Sequence, residues 1–139
     1  MLLRAVVCSS LIAIVGGMQA DTAIRTIDRG VMSNVDAKRE VVARTEAEFA
    51  ALWKSHSADK PAPKIDFSKD MVVGVFMGSR PTGGYVVEIV SASIRGGALV
   101  VGYRETSPGR GAIAAQVLTS PYHIAAVPKR AGDVKFEKM

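Results

Sequence analysis

The sequence predicts a mostly β, α+β domain, an antiparallel β-barrel or sandwich of six to seven short strands with one packed α-helix. Three observations predict this class. Apolar segments of strand length recur between residues 71 and 137, clusters of Gly and Pro separate them, and helical spacing is clear only around residues 46–56. Such elements favour a closed or two-layered sheet whose open side is sealed by the helix.

The first twenty residues differ from the rest of the chain. Arg4 precedes an apolar run from Ala5 to Val15, which is interrupted only at residues 8–10, and the small residues Gly16, Gly17 and Ala20 follow it. The run is shorter than the roughly 20 apolar residues that a membrane span needs, so it predicts a signal peptide over residues 1–20. We therefore expect an exported protein, periplasmic or secreted, with one domain over residues 21–139 and no membrane span after cleavage.

The clearest local signal is a helix start at Thr45. Thr45 fits an N-cap and Glu48, three residues on, completes a capping box, which predicts a helix over residues 46–56. Lys60–Lys64 contains two prolines and ends any helical course. One face of the helix carries the residues predicted to be buried in the core: Phe49, Leu52, Trp53 and His56.

The strands follow the helix. Residues 71–77 form a nearly unbroken apolar run, which predicts a central strand covered on both faces, with Gly74 marking a bulge or a close approach by the helix. Two further strands surround the glycine pair at residues 96–97, which suits a tight turn. The predicted strands are one short strand within 21–34, then 71–77, 85–94, 98–106, 112–118, 122–127 and 134–137.

Composition limits the chemistry and the partners. Cys8 is the only cysteine and lies in the predicted signal peptide, so the mature domain has no disulfide and no thiolate metal site. The net charge is +5, with basic residues interspersed among acidic ones, as in residues 36–40. This pattern favours a mixed, solvated surface over a nucleic-acid partner.

No residue pattern indicates catalysis, and we predict that the protein is not an enzyme. Serine catalysis needs a base beside the hydroxyl, and neither histidine, His56 or His123, lies in a hydrolase-like turn. The sequence has no metal-ligand cluster and no phosphate-binding motif, so no catalytic residue, metal or cofactor is expected.

The string at residues 79–85 predicts a stiff loop between two strands. Pro81 suits the second position of a turn and Gly83 the fourth, while Arg80 and Tyr85 are residue types that often carry binding energy. A plain hairpin turn remains the alternative. The predicted partner-binding residues, with a later Pro-Tyr pair included, are Arg80, Pro81, Thr82, Gly83, Gly84, Tyr85, Pro121 and Tyr122.

Four segments together resemble the PrcB family, named for an accessory subunit of a protease complex with a similar C-terminal domain. They read EFAALWKSH, DFSKDMVVGVFMGSRPTGGYVVEI, LTSPYHIAAVP and VKFE. The resemblance covers roughly the last two thirds of the chain. It implies an exported accessory subunit that stabilises or assembles a secreted or envelope protease.

A weaker likeness leads to the alternative function, a protease inhibitor. PTGGY and a later aromatic-proline loop are similar to the loop layout of chagasin-like cysteine-protease inhibitors. The inhibitor pattern has a second threonine where this chain has Gly83, and an Arg-Pro-aromatic order where this chain has Ser120-Pro121-Tyr122. A small hydrolase or ligand-carrying barrel is a third hypothesis, which a deep apolar pocket with convergent polar groups would support.

Overall fold

The structure, a computed structural model, describes residues 20–139 and shows a two-sheet sandwich with one helix. The predicted signal peptide therefore lies outside the described residues, apart from Ala20 at the start of the first strand. The two sheets are not closed into a barrel, so of the two predicted architectures the sandwich is the one observed. The elements are β1 Ala20–Asp21, β2 Arg25–Gly30, β3 Arg39–Ala43, α1 Glu46–His56, β4 Asp70–Phe76, β5 Val86–Arg95, β6 Ala98–Thr106, β7 Tyr122–Pro128 and β8 Val134–Lys138.

Each sheet has four strands. Sheet I has the order β1-β5-β6-β8 and sheet II the order β2-β7-β4-β3. The pairs are antiparallel except β6 and β8, which run parallel and so depart from the predicted arrangement. After β7, residues 129–133 cross from sheet II to sheet I. The Arg44 guanidinium holds this crossing by donating to the carbonyl oxygens of Arg130 and Gly132.

The two central strands of sheet II, β4 and β7, are buried on both faces. Side chains of β4 alternate between the core shared with sheet I, to which Val73 and Val75 belong, and a second core that includes Val72 and Phe76. The helix covers the second core. This confirms the prediction of a central strand with two covered faces and explains why β4 is apolar without alternation.

Gly74 makes room for side chains and does not form a bulge. The register of β4 with β3 and with β7 is unbroken at this residue. A Cβ atom here would lie 2.9 Å from Val41 Cγ2 and 3.3 Å from Phe76 Cε2. The close approach that the sequence predicted is thus made by two neighbouring side chains under the helix, and not by the helix backbone.

The helix spans Glu46–His56, as predicted. Thr45 Oγ1 accepts from the Glu48 N–H at 3.2 Å, and the Glu48 carboxylate accepts from the Arg44 N–H at 2.8 Å. The Glu48 side chain therefore bonds to the N–H of the residue before the N-cap, and not to the N–H of Thr45 as in a standard capping box. The predicted core face is buried, and burial of its aromatic side chains contributes roughly 2–3 kcal/mol each, more than the roughly 1 kcal/mol of the cap.

Two predicted strands differ from the structure. The segment 21–34 holds two strands, β1 and β2, instead of one. Residues 112–118 form part of a loop and not a strand, because their backbone bonds go to nearby loops and their apolar side chains are largely exposed.

No helix in the described part of the chain is long and apolar enough to span a membrane; α1 has 11 residues.

Candidate protein-binding site

The predicted loop at residues 79–85 joins β4 to β5 at one end of the sandwich and is bonded to a neighbouring loop. Arg80 and Thr119 exchange two backbone bonds, of 2.7 and 2.9 Å. The Thr119 hydroxyl donates to the Thr82 carbonyl at 2.9 Å, and the Gly83 N–H donates to the Ala115 carbonyl at 2.9 Å. Four hydrogen bonds thus hold the loop against residues 115–119, so its backbone is fixed before any partner arrives.

Side chains stiffen the same loop. The Arg80 guanidinium lies 5.5 Å from the centroid of the Tyr85 ring and donates to the Met77 carbonyl at 3.3 Å. Gly84 has φ of +89°, and a Cβ atom there would lie 2.8 Å from Pro108 Cγ, so only glycine fits this turn. Pro81 and Gly84 are exposed, whereas Arg80, Thr82, Gly83 and Tyr85 are half-buried. The tip of the loop, and part of its flanks, therefore faces solvent.

Pro121 and Tyr122 do not belong to this surface. Pro121 is fully buried, and Tyr122 at the start of β7 is 3% exposed. The Tyr122 ring packs 4.2 Å from the His56 ring, between centroids, in the core under the helix. Both side chains pack into the core, so the prediction that they contact a partner does not fit the structure.

An exposed apolar surface adjoins the loop, and sequence reasoning missed it. Ser33 and Ser120 are joined through a 3.1 Å backbone bond, and Ser120 also donates to Val31, so residues 31–33, 118–120 and 80–83 run side by side. On and beside these segments Met32 is 67% exposed, Leu118 69% and Ile113 fully exposed. We call the exposed parts of residues 31–32, 80–85 and 113–118 the loop face.

The apolar residues of the loop face left a misleading signal in the sequence. The predicted strand over residues 112–118 would turn some of the side chains of Ile113, Val117 and Leu118 inward. Their spacing lacks the strict alternation of a half-buried strand, and this was the available hint. Exposed apolar side chains gathered on neighbouring loops of a small domain are typical of an interaction surface.

His56 lies in a buried polar cluster. It is 1% exposed, with Nδ1 at 2.7 Å from Ser33 Oγ and Nε2 at 2.9 Å from Asp28 Oδ2. Burial alone would raise the pKa of Asp28, but hydrogen bonds from His56, Lys60 and Tyr122 outweigh it and hold that pKa below its ordinary value. Asp28 is therefore a carboxylate at neutral pH.

The Ser-His-Asp contact faces the interior and supports the fold. Ser33 Oγ also accepts from the Val35 N–H at 3.0 Å, and the Asn34 N–H donates to the His56 carbonyl at 2.9 Å. These bonds tie the segment after β2 to the end of the helix. A nucleophile must reach a substrate, and the structure turns this hydroxyl away from solvent.

His123 joins the two sheets. Its Nδ1 accepts from the Ile89 N–H at 2.8 Å, beside an irregularity in β5, and its Nε2 lies 2.9 Å from Thr26 Oγ1. Burial, assisted by the nearby Arg29 charge, lowers the pKa of His123. Because Nδ1 accepts a bond, the ring is neutral and its proton is on Nε2.

The described residues contain no group of three or more His, Cys, Asp or Glu side chains arranged to hold a metal ion. Neither the curated proteins nor the solved structures include a match to this chain. Residues 71–128, which run from β4 through β7 and include the loop at 79–85, match the family model described as PrcB C-terminal. Through this segment the chain is similar to the PrcB C-terminal family.

Proposed function

We propose that this chain is an exported, non-enzymatic protein-binding module that serves as an accessory or stabilising subunit of a secreted or envelope protease complex. The loop face carries the proposal. It lies largely within the segment that matches the PrcB C-terminal family, whose name refers to a subunit of such a complex. The N-terminal Arg4 and the apolar run after it support export.

The loop face has the properties of a preorganised interface. Four hydrogen bonds and the Gly84–Pro108 contact fix the backbone of the 80–85 loop, so little conformational entropy is lost when it binds. Met32, Leu118 and Ile113 supply apolar area, and the Arg80–Tyr85 pair supplies side chains typical of binding hot spots. A protein partner is the class of ligand that such a surface fits.

The inhibitor alternative loses one of its two loops. The later loop of a chagasin-like layout carries a Pro-aromatic pair, and the corresponding Pro121 and Tyr122 are both buried here. An accessory subunit needs only the loop face. The two functions predict opposite effects on the turnover of the protease.

The test is capture of the partner by the tagged chain from the envelope and secreted fractions of the source cells, with identification by mass spectrometry. We expect a protease. Met32→Ser combined with Leu118→Ser should lower capture at least tenfold, and so should Arg80→Ala combined with Tyr85→Ala. Met139→Ser is the matched control, because Met139 is as exposed as Met32 but packs beside Gly102 on sheet I. Undiminished capture by both double variants, or a partner unrelated to proteolysis, would contradict the proposal.

A further inference from the structure

The edge of sheet II at β3 is open. β3 is the last strand of this sheet and pairs with β4 on one side only. On the other side of β4, the Met77 N–H donates to the Pro121 carbonyl and the Lys129 N–H donates to the Lys69 carbonyl. These bonds place the backbone groups of the odd-numbered β4 residues toward β7, since neighbours in an antiparallel ladder alternate.

The outward-facing groups of β3 follow from this alternation. The even-numbered residues of β4 bond to β3, and their partners there are residues 39, 41 and 43. The N–H and C=O groups of Glu40 and Val42 therefore point away from the sheet. The next outward N–H, that of Arg44, is already bonded to the Glu48 carboxylate. Glu40 and Val42 thus offer four unpaired backbone groups. The Glu48 side chain occupies the next outward position along the edge.

A groove runs between this edge and the helix. Its volume is ≈490 Å³, and its lining includes Val41, Ala43, Ala51 and Leu52. The side chains of residues 39, 41 and 43 lie on the helix side of sheet II, where Val41 and Ala43 join the second core. The small side chain of Ala51 leaves the groove open above them. An added strand would place alternate side chains on this apolar floor.

The charges along the groove give it a direction. Arg39 lines the end at the start of β3; it is exposed and forms no ion pair within residues 20–139. Glu48 lines the other end, and its carboxylate is engaged by the Arg44 N–H. Every pair in sheet II is antiparallel, so a strand added in the same sense ends beside Arg39. That end of the ligand would meet a free guanidinium.

We propose that the groove between β3 and α1 binds an extended segment of a partner protein, which adds to sheet II as a fifth strand and brings a carboxylate to Arg39. The outward backbone groups of Glu40 and Val42 form the ladder, and the apolar floor receives one or more medium-sized side chains. This is β-strand addition, in which backbone bonds supply affinity and side-chain pockets supply selectivity. The carboxylate comes from an acidic residue or from the end of the chain.

The groove is separate from the loop face, so loss of binding at one site would not exclude binding at the other. The Ser79 N–H donates to the Asp36 carbonyl at 2.8 Å, which places the Arg39 end of the groove at the same end of the sandwich as the 80–85 loop. One partner is therefore able to span both sites.

The test uses a library of random octapeptides displayed at the C-terminus of a phage coat protein and selected on the folded domain. Enriched peptides, synthesised with free and with amidated ends, are then titrated against the domain while amide hydrogen exchange is followed by NMR. We expect exchange at Glu40 and Val42 to slow at least tenfold when peptide is bound. Loss of binding on amidation identifies the chain end as the carboxylate, and retention identifies an acidic side chain.

Two pairs of variants separate the groove from the fold. Glu40→Pro removes an outward N–H without touching the ladder to β4 and should weaken binding about tenfold, whereas Glu40→Ala keeps the N–H and should bind normally. Ala51→Arg should block the groove, whereas Ala50→Arg, which faces residues 62–67 on another side of the same helix, should not. Thermal unfolding of all four variants verifies that they are folded.

Three outcomes would overturn the proposal. The first is that no peptide is enriched. The second is that enriched peptides bind Glu40→Pro and Ala51→Arg as well as the unchanged domain. The third is protection of Glu40 and Val42 that grows with protein concentration in the absence of peptide, because the edge then pairs with a second copy of this chain.

Discussion

Replacing His123 with leucine should destabilise the sandwich and remove one source of its pH dependence. His123 is 3% exposed, and its Nδ1 accepts a hydrogen bond from the Ile89 N–H. Ile89 is buried as well. Leucine has a similar volume but no acceptor. The Ile89 N–H is then left buried without a partner where sheet II meets sheet I.

The magnitude follows from that orphaned donor. A buried N–H without an acceptor costs about 1–3 kcal/mol, so the free energy of unfolding at pH 7.5 should fall by about that amount. The Thr26 hydroxyl is the other partner of His123. Thr26→Ser keeps this hydroxyl as the acceptor for the buried His123 Nε2–H and is the matched control, so its loss should stay below about 1 kcal/mol.

The pH dependence has a definite sign. Burial lowers the pKa of His123 from its ordinary value of 6.5, so the unfolded chain takes up a proton before the folded one does as the pH falls. The stabilisation from neutral His123 is complete above pH 6.5 and is lost as the pH falls toward the folded pKa. The unchanged protein should lose at most about 1.4 kcal/mol for each pH unit in this window, and His123→Leu lacks this loss.

Urea unfolding of the domain and its two variants at pH 7.5, 6.5 and 5.5 measures both effects. The gap in stability between the unchanged domain and His123→Leu should narrow as the pH falls. Equal stability at pH 7.5, or a gap that stays constant over the three pH values, would refute the role assigned to His123.

Three further substitutions test the core and the buried polar cluster. Gly74→Val forces a side chain into space held by its neighbours and should lower the free energy of urea unfolding by about 1–3 kcal/mol; an unchanged midpoint would contradict the packing described. Trp53→Ala should cost about 3–5 kcal/mol and expose the second core to a hydrophobic dye, and full thermal stability would show that the helix is not held by docking. Asp28→Asn removes the carboxylate bound by His56 and Lys60 and should cost about 1–3 kcal/mol at pH 7. Because the pKa of Asp28 is lowered from 3.8, its stabilisation is present above that pH and is lost as the pH falls below it, so the difference from the unchanged domain should shrink in acid titrations followed by circular dichroism.

The elements with strong local signals could be predicted from the sequence. The capping box at Thr45 and the spacing of Phe49, Leu52 and Trp53 predicted the helix to its observed bounds. The unbroken apolar run of β4 predicted burial on both faces, because a strand with one wet face would alternate. Both features depend on residues close together in the chain.

Features that depend on distant residues could not be predicted in this way. The parallel pairing of β8 with β6 follows from a crossing held by Arg44, which lies 86 residues before Arg130. The burial of Tyr122 follows from the helix that covers β7, and the exposure of Leu118 from bonds between loops far apart in sequence. The turn chemistry of residues 80–85 predicted a stiff loop, and the part of this loop in binding stays a prediction.

Proteolytic turnover and half-life of the captured protease, measured while the purified domain is titrated in, test the proposed function most directly. We predict that turnover is retained or increased, that the half-life lengthens up to a fixed stoichiometry, and that the Met32→Ser, Leu118→Ser double variant loses the effect. Abolished turnover would establish an inhibitor instead. A half-life that the domain leaves unchanged would contradict the accessory role.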